Sequence, residues 1–500
     1  MATNNLYVFG IGGTGSRVLR SLTMLLAAGV KCDYNIVPVI IDPDASAGDL
    51  TRTVSLLNLY NKIYDKSSSE NSSFFKTEIR QIVPNFTLPF VETTNEKFHE
   101  FMRLSSMNEI TKSFMKTLFS EENLEADMGI GFKGCPSMGT IVLNQFAYND
   151  DFRKFCTNFK QDDRIFIISS IMGGTGSSGF PLLLKLLRNA SNTQENQALP
   201  NAKLISRAMI GAVTVLPYFL LDKPSNPNPK TEYIDSESFI SKAKSALSYY
   251  QNGISRKSYQ NLSVRQGCDA LYYVGDTNTA TYENIIGGTL QKNDSHFIEV
   301  ASALAIMDFA KNVQEPEMQT IHKDFGLRSN TDSDIQTINL SNLSDQSMNI
   351  MGKPLTKMWM LHQFVKCRQQ EDKKKNEQWI RTLGGESLFQ TAQFNQALGD
   401  FLELYVEWLK ELANNRVAFK PFLLETDSNK DLFESVVGIT HNKRHELLPK
   451  NRSYDYFSCN LIENAPKIKK DGTEDQKYME LFSKVIDIII DNKLPEIREN

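Results

Sequence analysis

Two glycine-rich turns, each preceded by an apolar strand-like run and followed by a helix-like run, constrain this chain most. The first is Tyr7-Val8-Phe9-Gly10-Ile11-Gly12-Gly13-Thr14-Gly15-Ser16. The second runs from Ile165 through Met172 into Gly173-Gly174-Thr175-Gly176-Ser177-Ser178-Gly179. Glycine carries no Cβ, so backbone N–H groups can approach phosphate oxygens closely. A helix opening at the same point adds its positive dipole end. One such turn points to a nucleotide. Two, far apart in sequence, point to one phosphate chain gripped from two sides.

Strand and helix patterns alternate from residue 5 to about 220. Apolar runs at 6–9, 36–41, 164–169 and 209–216 read as strands, with another at 270–274. Val18, Leu22, Leu25 and Leu26 recur at helical spacing over 16–28, and a second helix is predicted from Ser177 to about Asn189. This alternation predicts an α/β fold with a doubly wound, mostly parallel sheet. Its ligand belongs at the carboxyl ends of the strands, where both glycine turns fall. Asn293 to about Val313 reads as a long helix, apolar on most sides and therefore central. Beyond about residue 350 the pattern turns helical, with amphipathic stripes at Leu398, Phe401, Leu402, Tyr405 and Leu409 and at Leu481, Phe482, Val485, Ile486 and Ile489. Pro224–Pro229 is too proline-rich for a helix or central strand and reads as a surface excursion.

Bulk properties exclude several functions. With 55 basic against 59 acidic residues and a net charge of −4, the chain offers no basic field for nucleic acid. No apolar run approaches the roughly 20 residues that span a bilayer. A strand begins within the first few residues, which predicts no signal peptide. The six cysteines are scattered without a CxxC pair, the pattern of reduced thiols in a cytoplasmic protein, not of a disulfide frame or zinc site.

Gly10-x-Gly12-x-x-Gly15 satisfies the dinucleotide fingerprint. A NAD site also wants an acid about 20 residues further on, and Asp42 and Asp44 come later than that. The GxxxxGK[ST] arrangement of a Walker P-loop is missing. Gly173-Gly174-Thr175-Gly176-Ser177 instead resembles the GGGTGSG signature of tubulins and the bacterial division protein FtsZ, with Met172 for the first glycine and Ser178 for the last. Pro181 matches the proline of the bacterial branch. Gly10–Ser16 then resembles the family's first glycine loop, and Asp42-Pro43-Asp44-Ala45 its acidic loop. Gly131–Gly139 resembles the γ-phosphate-sensing loop, with Cys135 where Asn is common, and Val213–Pro217 the strand before the ribose contacts. The resemblance covers roughly residues 4–345 and is nearest to the bacterial tubulin-like proteins.

The resemblance implies a tubulin-like GTP-binding domain over 1–313, a connecting or second-domain segment over 314–350 and a mainly helical C-terminal domain over 351–500. It implies GTP/GDP with Mg²⁺, the metal bound mainly through phosphates and water. Gly12, Gly13, Thr14, Gly15 and Ser16 would embrace the α- and β-phosphates. Gly173, Gly174, Thr175, Gly176 and Ser177 would hold β and γ, with Gly134 and Gly139 closing over γ and Asp42 in the acidic loop. At the base end the start of the central helix supplies Asn293 to pair with guanine and Phe297, or His296, to stack. The other reading of those positions is a helix N-cap at Asn293 and an ordinary core Phe297. Glu237 is a candidate for the ribose.

Family members hydrolyse GTP through an acidic loop that enters the neighbouring subunit's site. The Asn-x-Asp-x-x-Asp form of that loop has no clean copy here. Asp324 is the best-placed candidate catalytic acid, ahead of Asp332 and Asp334, and each also reads as plain surface loop. No metal-ligating protein residue set is apparent. Three functions stay open at this point. One is a head-to-tail self-assembling filament protein with GTP at the subunit interface. Another is a nucleotide-bound scaffold or sensor without turnover, its helical last third binding a protein partner. The third is a NAD-dependent enzyme reading Gly10–Gly15 alone.

Overall fold

A computed structural model describes residues 4–89, 96–132, 134–192, 199–223, 234, 236–254, 267–276, 280–285, 287–314, 327, 337–370, 373–384, 392–424, 431–443, 453–469 and 471–497. Strands β1 (Asn5–Ile11), β2 (Asn35–Ile41), β3 (Arg164–Ser170) and β4 (Met209–Val215) are apolar along most of their length. β1, β2 and β3 are buried at every position, as parallel strands covered on both faces must be. Two short strands, β5 (Phe219–Leu221) and β7 (Ala280–Tyr282), pair with each other, and β6 (Ala270–Val274) completes the main sheet. That sheet is five-stranded and parallel, in the order β2-β1-β3-β4-β6. The fold is α/β.

Alternate side chains of each strand enter separate cores. Leu6 and Val8 of β1 join the core that holds helices α1 (Gly12–Ala28), α2 (Gly48–Ser67) and the central helix. Tyr7, Phe9 and Ile11 face the other, with α3 (Pro136–Leu143) and α4 (Gly174–Arg188). There Tyr7 and Phe155 meet edge to face at 4.9 Å. Helix α5 (Phe239–Gly253) contributes Ala243 and Tyr250 to the same core.

The central helix α6 is Phe297–Asn312, shorter than the predicted Asn293–Val313. His296, not Asn293, is its N-cap: the His296 imidazole Nδ1 accepts from the Ile298 N–H at 3.0 Å, and the Glu299 carboxylate accepts from the His296 N–H at 3.0 Å. Every residue from Phe297 to Ala310 is buried. Gly211 lets the helix reach the sheet, since a Cβ there would stand 2.7 Å from both Phe166 and Phe309 rings. Arg164 of β3 donates to the Phe309 and Val313 carbonyls at 3.0 and 2.7 Å, closing the helix's C-terminal end.

The last third is helical, with α7 (Lys353–Gln370), α8 (Ala392–Asn414) and α9 (Glu474–Lys493) among its elements. It shares the core of α1 and α2. Phe401 of α8 meets Phe75 edge to face at 4.9 Å, and the Trp408 indole donates to the Ser21 hydroxyl of α1 at 3.3 Å. Among the described residues no helix is long and apolar enough to cross a membrane.

Candidate functional site

β1 and β3 are neighbours in the sheet, so the two glycine turns leave it side by side. Each turn is itself the first turn of its helix: α1 opens at Gly12 and α4 at Gly174, both earlier than the hydrophobic periodicity predicts. A Cβ on Gly12 would lie 3.4 Å from the Thr175 Cβ and 3.8 Å from the Gly176 nitrogen. Gly12 has φ +71°, a left-handed conformation that favours glycine. Neither helix start has a side-chain cap or an acidic residue in its first turn. Their first-turn N–H groups are therefore left for solvent or a ligand, and two positive dipole ends converge.

A third loop closes on the same place. Gly131 and Gly134 have φ +84° and +74°. A Cβ on Gly174 would stand 2.9 Å from the Phe132 Cβ and 3.2 Å from the Gly134 nitrogen, so this loop rests directly on the start of α4. Lys242 of α5 donates to the Gly134 carbonyl at 3.0 Å. Between the three loops lies a cleft with about 920 Å³ of empty space, part of it open to solvent.

Nine of the sequence-selected residues line this cleft: Gly12, Gly13, Thr14, Asp42, Gly134, Gly173, Thr175, Gly176 and Asn293. Others stand behind it for identifiable reasons. A Cβ on Gly15 would be 2.4 Å from the Gly10 carbonyl carbon, so this glycine serves helix-to-strand packing. Ser16 is fully buried beneath the turn, where its carbonyl accepts from Thr53. Gly139 packs α3 on α4, a Cβ there falling 2.2 Å from the Ser178 hydroxyl. Gly174 is pressed against Phe132, and the Ser177 hydroxyl donates back to the Gly173 carbonyl of its own helix. Phe297 faces away and packs on Phe419 with ring centroids 5.0 Å apart. The aromatics that reach the cleft are Phe132 of the third loop, Phe219 of β5 and Phe239 of α5. Glu237 pairs with Lys223 at 2.6 Å. Asp324, Asp332 and Asp334 lie outside the described residues.

Sequence reasoning missed the ionic floor. Arg17, one turn into α1, lines the cleft yet is only 2% exposed. It donates to Glu299 at 2.6 Å, to the Tyr218 hydroxyl at 2.9 Å and to Thr14 at 3.3 Å, and it pairs with Asp49. Burial opposes its charge, but Tyr218, Asp49 and Glu299 outweigh that and hold its pKa well above the ordinary value. Burial raises Glu299, against the pull of Arg17 and Tyr218. A cation one turn after a glycine loop was the available signal; its partners could not be read locally.

The remaining walls mix apolar side chains such as Leu221, Ile234 and Ile285 with four carboxylates. Asp42, Asp44, Asp49 and Glu283 all line the cleft. Desolvation pushes Asp42 up to about 7, reinforced by Asp44 and Asp49 and opposed by a hydrogen bond from the Asp44 N–H. His296 is fully buried, and desolvation takes it down to about 4. Among the described residues no three His, Cys, Asp or Glu side chains gather as metal ligands.

No protein-family model matches the chain, and no curated protein does. A similar solved structure is a helical model of the TubZ-Bt two-stranded filament, at 12% sequence identity and a TM-score of 0.25. The match covers 61% of this chain and 52% of that one, so it spans about half the length of the TubZ-Bt chain.

Proposed function

We propose that the cleft binds the triphosphate of GTP and that the chain is a doubly wound, tubulin/FtsZ-like protein that self-assembles head to tail. One observation carries this reading: two uncapped glycine-rich helix starts and a third glycine loop converge on one cleft. The N–H groups at Gly12–Thr14 and at Thr175 and Gly176 suit phosphate oxygens. Four carboxylates around the same cleft disfavour a bare polyanion. They suit a nucleotide carrying Mg²⁺, which would neutralise phosphate charge and be held through phosphate oxygens and water, with Asp42 or Asp44 behind the water. Phe219 is the stacking candidate for the base and Asn293 the hydrogen-bonding one.

Extraction of nucleotide from purified protein, identified by mass, together with calorimetric titration of GTP, tests the reading. GTP or GDP in the extract, or saturable GTP binding, supports it; recovered NAD(H) overturns it. Pelleting and light scattering with GTP, GDP and no nucleotide test assembly, and a monomer under all three removes the filament. Contact of this heterologous kind buries nucleotide between subunits, and Asp324 of a neighbouring copy is the candidate acid for hydrolysis. The absence of a clean acidic-loop motif favours a second reading, a GTP-holding scaffold or sensor. Phosphate release no faster than buffer at high protein concentration distinguishes the two.

A further inference from the structure

One wall of the cleft is irregular chain. The segment 287–296 lies between β7 and α6 and carries Gln291 and Asn293 into the cleft. One side of it is tied to α2 and the acidic turn: the Gly48 N–H donates to the Gly288 carbonyl at 3.2 Å, the Asp49 N–H to the Gln291 carbonyl at 3.1 Å, and the Gly288 N–H to Asp44 at 2.6 Å. Its other side is tied to α8, more than a hundred residues later in the chain. Glu411, 6% exposed, accepts from the Ser295 N–H at 2.8 Å. Asn415, 9% exposed and just past the end of α8, donates to the Ser295 carbonyl and accepts from the Tyr282 hydroxyl at 2.9 Å. Lys292 pairs with Glu407 at 3.1 Å. Arg52 joins the two sides: it pairs with Glu411 at 3.0 Å and with the cleft residue Asp49 at 2.7 Å, and donates to the Asn293 carbonyl.

We propose that α8 clamps this wall, with Glu411 and Asn415 as positioning residues for Gln291 and Asn293. Neither touches the cleft. Irregular backbone has no ladder of its own to hold it, so its register depends on the side chains that take its N–H and C=O groups. Two such groups, on Ser295, are taken by Glu411 of α8 and by Asn415 just beyond its end. The proposal rests on the GTP reading of the cleft. It gives the last third of the chain a task at that site: ligand affinity depends on a helix that makes no ligand contact, and anything that shifts α8 shifts the cleft wall with it.

The test uses the full chain. Asn415→Ala removes both the donor to Ser295 and the acceptor for Tyr282. Glu411→Gln keeps the shape and an acceptor for the Ser295 N–H but loses the charge that holds Arg52 beside Asn293. Leu398→Ala is the control, a core position in α8 more than three turns from Glu411. GTP affinity is read by calorimetry and the wall by hydrogen–deuterium exchange over 287–296. Asn415→Ala is expected to weaken GTP by about tenfold, the scale of one or two hydrogen bonds, and to speed exchange over 287–296. Glu411→Gln should weaken GTP several-fold, and it carries the test if Asn415→Ala does not fold. Leu398→Ala should lower the unfolding midpoint and leave both readouts near wild type. Unchanged affinity and exchange in the clamp variants, or equal loss in Leu398→Ala, overturns the clamp. If wild-type protein binds no GTP, the function reading falls, and the exchange arm alone decides whether α8 holds the wall.

Discussion

Replacing Arg17 by methionine tests how the floor of the cleft is built. Methionine retains much of the apolar stem and fills space flexibly. It removes the donors to Glu299 at 2.6 Å and to Tyr218 at 2.9 Å, and the ion pair with Asp49. Neither carboxylate is stripped of every partner. Asp49 keeps Arg52 at 2.7 Å, and Glu299 keeps the Tyr218 hydroxyl at 2.7 Å and the His296 N–H at 3.0 Å. Deleting one partner of a buried ion pair costs about 3–5 kcal/mol, and the surviving partners place Arg17→Met at the lower end, about 3 kcal/mol. That is a large part of the roughly 5–15 kcal/mol that holds a typical fold. The pH dependence separates lost charge from lost packing. Burial already raises Glu299 while Arg17 opposes it, so without Arg17 the carboxyl rises further. A group whose folded pKa is raised stabilises the fold in its protonated form, and that stability is lost as pH climbs through the folded value. Arg17→Met should therefore lose least near about pH 5 and most near about pH 8. Urea unfolding followed by circular dichroism at both values provides the measurement, with Glu299→Gln and the double variant completing a cycle. Glu299→Gln should cost less in the Arg17→Met background, with a coupling of about 1 kcal/mol or more. A loss independent of pH, together with an additive double variant, would refute the buried-charge reasoning.

Three further outcomes are expected. Gly12→Ala places a side chain at φ +71° between the two turns, at a cost of about 1–2 kcal/mol for the left-handed conformation; GTP titration should weaken at least tenfold, and wild-type affinity would count against a phosphate at this turn. Phe219→Ala and Phe297→Ala should each cost about 3–5 kcal/mol of stability, since both rings pack in the core, but only Phe219→Ala should weaken GTP binding by the folded fraction; the reverse pattern of affinities would return the base to the start of α6. Asp42, pushed up to about 7, stabilises the fold when protonated, so stability should fall as pH rises toward that value. Asp42→Asn should flatten that part of a thermal-midpoint against pH profile, and an unchanged profile would place the titration elsewhere.

Much of the frame was legible because it is local. The apolar runs of β1 to β4 and the all-round apolar pattern of α6 are properties of neighbouring residues, readable from periodicity alone. The glycine turns were equally legible, and Gly12 and Gly134 have the left-handed φ that only glycine adopts freely. Roles within the turns were less so. Gly15 and Gly139 look like their neighbours in sequence, but close backbone and side-chain approaches assign them to packing. Asn293 looked like a helix start because the apolar pattern begins nearby, yet the capping box at His296 and Glu299 sets the boundary.

The amino-acid sequence by itself determined that two strand–turn–helix units exist with glycine-rich turns, because backbone conformation responds to residues a few positions apart; that the helices begin inside those turns, uncapped, came from the structure. Only the tertiary structure decided that the two units stand on adjacent strands. It also joined Arg17 to Glu299 and Phe297 to Phe419, and brought Glu411 and Asn415 to the far wall of the cleft. Those pairings carry no local signature. They arise when separate apolar faces find shared cores on the two sides of a sheet, and the charged residues carried along must pair where they are buried.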